Sequence, residues 1–241
     1  CLHGGGQSST NFAASSGMRA LTAAHPNVDF VYAAAPDGLW LADPPGGKGT
    51  PTNDVDWDLG SQTVLDNVVA TEGPFAGLLG YSQGAAYAPV YLGHVPLGTF
   101  NFTVLFCGYL TTTHLAQLAR ASAASPFGDI PALIWMGATD TTIPVAMTQA
   151  QATLFSSPTV VVSASGGHAV PDSADPTFSQ VSAFLSSPGS SSSEAASKPS
   201  LSPGAIAGIV AGSIAAVWVG LVIFILKVFS SNDGSTPAVL Q

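Results

Sequence analysis

Short apolar runs alternate along the chain with segments whose apolar positions recur every three or four residues. Val28-Asp29-Phe30-Val31-Tyr32, the stretch 75–81, Phe102-Thr103-Val104-Leu105-Phe106, Ala132-Leu133-Ile134-Trp135-Met136 and Thr159-Val160-Val161-Val162 have strand length and are rich in β-branched and aromatic residues. Helical patterns separate them. One is opened by Ser8, Ser9 or Thr10 and runs to about Ala24, where His25-Pro26 stops it. Another covers 61–70, with Val64, Leu65, Val68 and Val69 at helical spacing and Glu72-Gly73-Pro74 beyond it. Three more are expected over 113–121, 144–155 and 175–185. Apolar strands alternating with amphipathic helices predict an α/β fold, a mostly parallel sheet with helices on both faces. Between Pro36 and Asp58 the chain is Pro, Gly, Asp and Trp without a period, which reads as a substrate-side loop.

The run 75–81 leads into Gly80-Tyr81-Ser82-Gln83-Gly84 and then into small helix-forming residues. A strand that turns sharply into a helix strains the residue at the apex and leaves no room for a Cβ two positions to either side. Gly80 and Gly84 answer that demand, with Ser82 at the apex. The five-residue pattern alone is cheap in a chain with 26 Gly, so its context carries the weight.

Composition changes the picture at the C-terminal end. The stretch 187–203 is Ser, Pro, Ala and Gly with almost no large apolar residue, so it cannot bury enough surface to fold and reads as a disordered stalk. After it, 205–226 is 22 residues without a charge. At about 1.5 Å per residue such a helix spans the hydrocarbon core of a bilayer. The expected division is therefore an α/β domain over 1–186, a stalk over 187–203, one transmembrane helix over 204–226 and a short polar tail over 227–241. Gly204, Gly208 and Gly212 repeat at four-residue spacing, giving a face on which two such helices could pair as a homodimer.

Charge excludes one class of partner. The formal net charge is −9, and Arg19, Lys48, Arg120, Lys198 and Lys227 are the five basic residues, so the chain cannot neutralise a phosphate backbone and nucleic acid is not a partner. Two cysteines, Cys1 and Cys107, are too few for a disulfide framework or a metal cluster. The chain opens on Cys1-Leu2-His3-Gly4 at what reads as a strand-to-loop transition, so it is expected to be a fragment, with most of that strand and any signal peptide upstream.

A serine hydroxyl attacks only when a base takes its proton and a third group holds that base. Among five histidines, His168 closes the glycine-rich loop Ser163-Ala164-Ser165-Gly166-Gly167 directly after the last strand. His25 abuts a helix-ending proline, His94 and His114 sit near helix termini as solvated residues, and His3 reads as structural. Asp140, in Gly137-Ala138-Thr139-Asp140, follows the preceding strand; it reads equally as the orienting acid or as a helix cap. Asp172 and Asp175 are rivals that follow the histidine. His3, Ser82, Asp140 and His168 all fall just after strand ends, the edge where such sheets bind ligands. The order Ser82, Asp140, His168 is that of α/β hydrolases. Backbone N–H groups of Gln83 and, from the loop His3-Gly4-Gly5-Gly6-Gln7, of Gly5 would form the oxyanion hole, each donor being worth about 2.7–4 kcal/mol. This chemistry calls for no metal and no organic cofactor.

Together these motifs resemble the FSH family of serine hydrolases, which includes esterases and fungal thioesterases that release polyketides. The resemblance rests on Cys1-Leu2-His3-Gly4, Glu72-Gly73-Pro74-Phe75 leading into Gly80-Tyr81-Ser82-Gln83-Gly84-Ala85-Ala86, Gly137-Ala138-Thr139-Asp140 with Ile143-Pro144, and Gly166-Gly167-His168-Ala169-Val170-Pro171. It covers the chain to about Leu185. It implies an α/β-hydrolase fold with Ser82 as nucleophile, Asp140 as acid and His168 as base. It also implies that the strands of Cys1 and Cys107 flank the nucleophile strand, about 9.6 Å apart, beyond disulfide reach, so both are expected as free thiols. Ala76 stands where the family usually has Asp, and the stalk and anchor look like the ends of some fungal surface proteins.

The chain therefore reads as a serine hydrolase cleaving a carboxylic ester or thioester of a small acyl substrate through an acyl-enzyme. Two alternatives stay open: a thioesterase of secondary metabolism, and a non-catalytic, membrane-anchored interaction module with a hydrolase fold. The expected location is a single-pass membrane protein. The stalk favours a catalytic domain outside the cytosol; the resemblance and the thiols favour a cytosolic, tail-anchored one.

Overall fold

The computed structural model describes residues 1–42, 47–48, 60–122 and 129–188. The stalk beyond Pro188, the transmembrane run, Gly204, Gly208, Gly212 and the tail lie outside the described residues, as does Trp57. Among the described residues no helix is long and apolar enough to cross a membrane.

Four strands form one sheet: β1 (Gly77–Tyr81), β2 (Phe102–Phe106), β3 (Ala132–Gly137) and β4 (Thr159–Ser163), in the order β1-β2-β3-β4. All three pairings are parallel, with Tyr81 opposite Phe106 and Phe106 opposite Trp135. Seven α-helices are described: α1 (Ser9–Ala13), α2 (Ser16–Ala24), α3 (Ser61–Glu72), α4 (Gln83–His94), α5 (Leu115–Arg120), α6 (Val145–Ala152) and α7 (Phe178–Ser186).

Successive side chains of a strand point to opposite faces, so β1, β2 and β3 each feed two cores, while β4 at the sheet edge gives Val161 to one and leaves Val160 and Val162 exposed. Leu79, Tyr81, Val104, Phe106, Leu133 and Trp135 pack with Met18 and Leu21 of α2 and Val181 and Phe184 of α7. Leu78, Leu105, Ile134 and Met136 pack on the other face with Leu65 of α3, Tyr87 and Tyr91 of α4 and Ala152 of α6. This is the three-layer α/β-hydrolase arrangement, and it explains why the runs of β1, β2 and β3 are largely apolar.

Two expected elements differ. The pattern over 28–32 gives no regular strand: Cys1 N donates to Val31 O at 2.7 Å, and Leu2 bridges Ala33 on one side and Gly80 on the other. These contacts make isolated bridges and not a ladder. The first helical pattern is two helices, because Ser15 breaks it and caps the second by accepting from Met18 N, as Ser8 caps the first by accepting from Asn11 N. The break also lets Gly17 approach Val170, whose carbonyl oxygen lies 2.3 Å from where a Cβ would stand.

The start of the Pro- and Gly-rich excursion is core rather than open loop. Trp40 and Leu41 are fully buried, and the Trp40 ring stacks on Tyr87 at 6.1 Å. Helix α4 carries Pro89, which cannot donate to the Ala85 carbonyl. The Gln151 side chain of α6 donates Nε2–H to that oxygen at 2.6 Å instead.

Candidate active site

Ser82 stands between β1 and α4 with φ 54° and ψ −120°, a backbone that L residues reach only under strain. Its N–H is fixed by Phe106 O at 2.9 Å. The turn is tight on both sides. A Cβ on Gly80 would lie 2.6 Å from Gly84 O, and one on Gly84 would lie 2.5 Å from both Leu2 O and His3 O. Glycine at these two positions lets α4 start against the backbone of Leu2 and His3, and so aims Ser82 out of the sheet edge.

His168 and Asp140 come to the same edge. His168 Nε2 lies 2.9 Å from Ser82 Oγ, and its Nδ1 lies 2.7 Å from Asp140 Oδ2. Asp140 can only accept when ionised, so Nδ1 carries the proton and Nε2 is left to receive the one on Ser82. Asp140 makes the contacts that both of its readings require. Its Oδ1 accepts from Thr142 N and Ile143 N, both at 2.8 Å, capping the turn before α6, while Oδ2 serves the histidine. Burial opposes ionisation of this carboxyl, but the bonds from Ile143 N–H, His168 and Thr142 N–H outweigh it and hold its pKa below the ordinary carboxylate value.

The rivals are engaged elsewhere. Asp175 accepts from Thr177 N, Thr177 Oγ and Ser163 Oγ, and Asp172 from Ala174 N. His25 meets Ser182 Oγ at 3.0 Å and His94 meets Asp66 at 3.0 Å. His114 is buried rather than solvated, set edge-on to Tyr87. His3 is also buried: Ala35 N donates to its Nε2 at 3.1 Å, so its Nδ1–H donates to Gly4 O at 2.8 Å, which fixes a neutral tautomer. Burial lowers its pKa accordingly.

The glycine loop leaves one inner donor open. Gly4 N donates to Gln7 Oε1 and Gly6 N to Gly38 O, whereas Gly5 N has no partner among the described residues. Gly5 lies against Gln83, since a Cβ there would be 3.1 Å from Gln83 Cδ. Gln83 N begins α4, where a backbone N–H has no intrahelical acceptor.

Three neighbours of the site are not expected from the motifs. Tyr81 donates its hydroxyl to His168 O at 2.8 Å and packs its ring on the imidazole at 5.2 Å. Cys107, at φ 50°, places Sγ 3.6 Å from Gly167 O and Ala169 O. Its thiol and the ligand atoms of Asp140 and His168 lie within 4.8 Å of one another. The acid and the histidine spend those atoms on each other, and burial followed by the Asp140 charge pushes the thiol up to about 12, so it is a neutral neighbour. The strand register could have found it: Tyr81 opposite Phe106 places the next residues, Ser82 and Cys107, side by side. The third neighbour is the Gln83 side chain, buried and bonded to the Trp40–Leu41 backbone. Both cysteines are free.

An apolar groove lined by Leu2, Phe30, Val31, Val69, Phe75 and Phe102, among others, opens by the N-terminal end of β1, and Ser82 is not part of it.

Comparison with known proteins agrees with this architecture. Esterase OVCA2 of Xenopus tropicalis is 31% identical over 143 residues, which is 56% of this chain and 59% of that protein. Esterase CG5412 of Drosophila melanogaster is 33% identical over 142 residues, 56% of this chain and 49% of that protein. The matched stretch thus spans about half the length of these curated relatives. Among solved structures, Arabidopsis thaliana SOBER1 F65L superposes with a TM-score of 0.58 at 16% identity, covering 77% of this chain and 96% of that one. The esterase RhEst1 from Rhodococcus superposes with 0.53 at 18% identity, covering 78% and 90%. At such identities these two bear on the fold alone. The model of the serine hydrolase (FSH1) family matches residues 1–179, from the first glycine loop through the serine turn to the start of α7, and the chain belongs to that family.

Proposed function

We propose that this protein hydrolyses a carboxylic ester of a small acyl group through an acyl-enzyme on Ser82, with His168 as base and Asp140 as orienting acid. The observation that carries the reading is the unbroken line from Ser82 Oγ through His168 to Asp140, 2.9 Å and 2.7 Å long, on a strained turn. As Oγ attacks the ester carbonyl, its proton passes to His168 Nε2, and the positive charge that develops on the ring faces the Asp140 carboxylate. The carbonyl oxygen becomes an oxyanion within reach of Gly5 N–H and Gln83 N–H. The tetrahedral intermediate then expels the alcohol, which takes the Nε2 proton. Water repeats the sequence on the acyl-enzyme, giving its proton to His168 and releasing the acid and free Ser82. The relatives named esterases support an oxygen ester as the substrate, and a thioester would pass through the same acyl-enzyme with a thiol leaving.

The test is a fluorophosphonate probe, which forms a stable bond only with an activated serine, alongside hydrolysis of p-nitrophenyl acetate. Labelling and turnover by the wild type and their loss in Ser82→Ala are expected. Equal labelling of both proteins would refute the assignment.

A further inference from the structure

Gln83 is 4% exposed, unusual for a glutamine at the mouth of a catalytic turn. Its amide is used as a strand would use its backbone: Trp40 N donates to Oε1 at 3.0 Å and Nε2 donates to Leu41 O at 2.8 Å. The segment it grips frames the glycine loop. Trp40 Nε1 donates to His3 O at 2.8 Å, Gly6 N donates to Gly38 O at 2.9 Å, and Ala35 N donates to His3 Nε2 at 3.1 Å. Ser61 Oγ, at the start of α3, holds Trp40 O at 2.6 Å. Gly5 itself rests on the Gln83 amide.

The two oxyanion donors therefore belong to elements far apart in sequence, and the Gln83 amide stands between them. We infer that the Gln83 side chain is a positioning residue that sets the separation of the Gly5 and Gln83 N–H groups. It does so by fastening the frame of the glycine loop to the first turn of α4. Its own backbone N–H touches the oxyanion, while its side chain acts through the loop. This rests on the reading of Ser82 as nucleophile.

Two variants test it, each followed by steady-state hydrolysis of p-nitrophenyl acetate and by binding of phenylboronic acid, whose tetrahedral adduct with a serine places an oxygen in the hole. Gln83→Met keeps the volume and removes both bonds. A donor displaced rather than deleted should cost about tenfold in kcat, less than the roughly 10²–10³ of outright removal. KM should stay within about twofold, and boronate affinity should fall in step with kcat, a pattern that belongs to transition-state stabilisation. Gln83→Glu keeps the Trp40 bond but sets a carboxylate against Leu41 O when ionised. Once protonated, it donates as the amide does. Its rate relative to wild type at each pH should therefore recover as pH falls from about 8 to about 5, the range into which burial lifts a glutamic acid. The glutamate variant carries the test if the methionine variant does not fold. Wild-type kcat and boronate affinity in Gln83→Met, or a ratio flat with pH in Gln83→Glu, would overturn the inference while leaving the reading of Ser82 intact. A wild type without Ser82-dependent turnover would overturn both.

Discussion

Asp140→Asn separates the two tasks of one carboxylate. The side chain is 1% exposed, so water cannot substitute for a lost partner. An amide has a single oxygen, and two backbone donors, Thr142 N and Ile143 N, already converge at 2.8 Å on the Oδ1 position. The opposite orientation sets an NH₂ group against both, at about 1–3 kcal/mol for each buried donor left unpaired. The amide oxygen therefore stays with the turn, and the NH₂ faces His168 Nδ1. That nitrogen must now accept, so the ring proton moves to Nε2 and points at Ser82 Oγ. The histidine can then no longer act as base. The same substitution in a well-characterised Ser-His-Asp enzyme lowers kcat about 10⁴-fold. At about 1.36 kcal/mol per decade, a loss of 10³–10⁴ here corresponds to roughly 4–5.5 kcal/mol of transition-state stabilisation. Because the turn keeps its acceptor and loses only its charge, stability should fall by about 1–2 kcal/mol. That amounts to a few degrees in Tm for a domain of this size. The assay is kcat and KM for p-nitrophenyl acetate, with a circular-dichroism melt on the same preparation. A kcat within threefold of wild type in a folded variant would refute the assigned orientation and the role of Asp140 together.

The other predictions concern the thiols and the glycine loop. With a pKa pushed up to about 12 and no exposure, Cys107 should resist iodoacetamide at pH about 8 in the native state, while half-buried Cys1 reacts. Mass spectrometry should find one modified cysteine natively and two in guanidinium, and native labelling of Cys107 would contradict its placement. His3 is held neutral, with its pKa below the ordinary 6.5, so the unfolded chain binds its proton first. Its contribution to stability is present above about pH 6.5 and is lost as pH falls below that value. Denaturant titrations from pH about 7.5 to 5 should show a shallower decline in His3→Gln than in wild type, and equal slopes would refute the tautomer assigned here.

Much of this architecture is legible in the residue pattern because apolar runs fix which segments lie between two helical layers. Gly80 and Gly84 mark the turn because sterics there admit no Cβ, and the order Ser82, Asp140, His168 follows from three loops at one sheet edge. The pattern over 28–32 does not by itself make a strand, because a strand is a pairing, and beside this segment the described residues form only the isolated Leu2–Ala33 bridge. The first helical pattern divides in two because Ser15 caps as readily as it continues a helix.

Local sequence could thus single out Ser82, Asp140 and His168, since each sits where its own strand ends, with Asp172 and Asp175 as rival carboxylates. It could not choose between the two uses of Asp140, because a carboxylate has two oxygens and only the packed structure shows that each has a separate partner. Nor could it show that Trp40 is core, that Cys107 stands beside Ser82, or that the Gln83 amide ties α4 to the frame of the glycine loop. Those depend on strand register and on contacts between segments distant in the chain, which exist only once the sheet has brought them together.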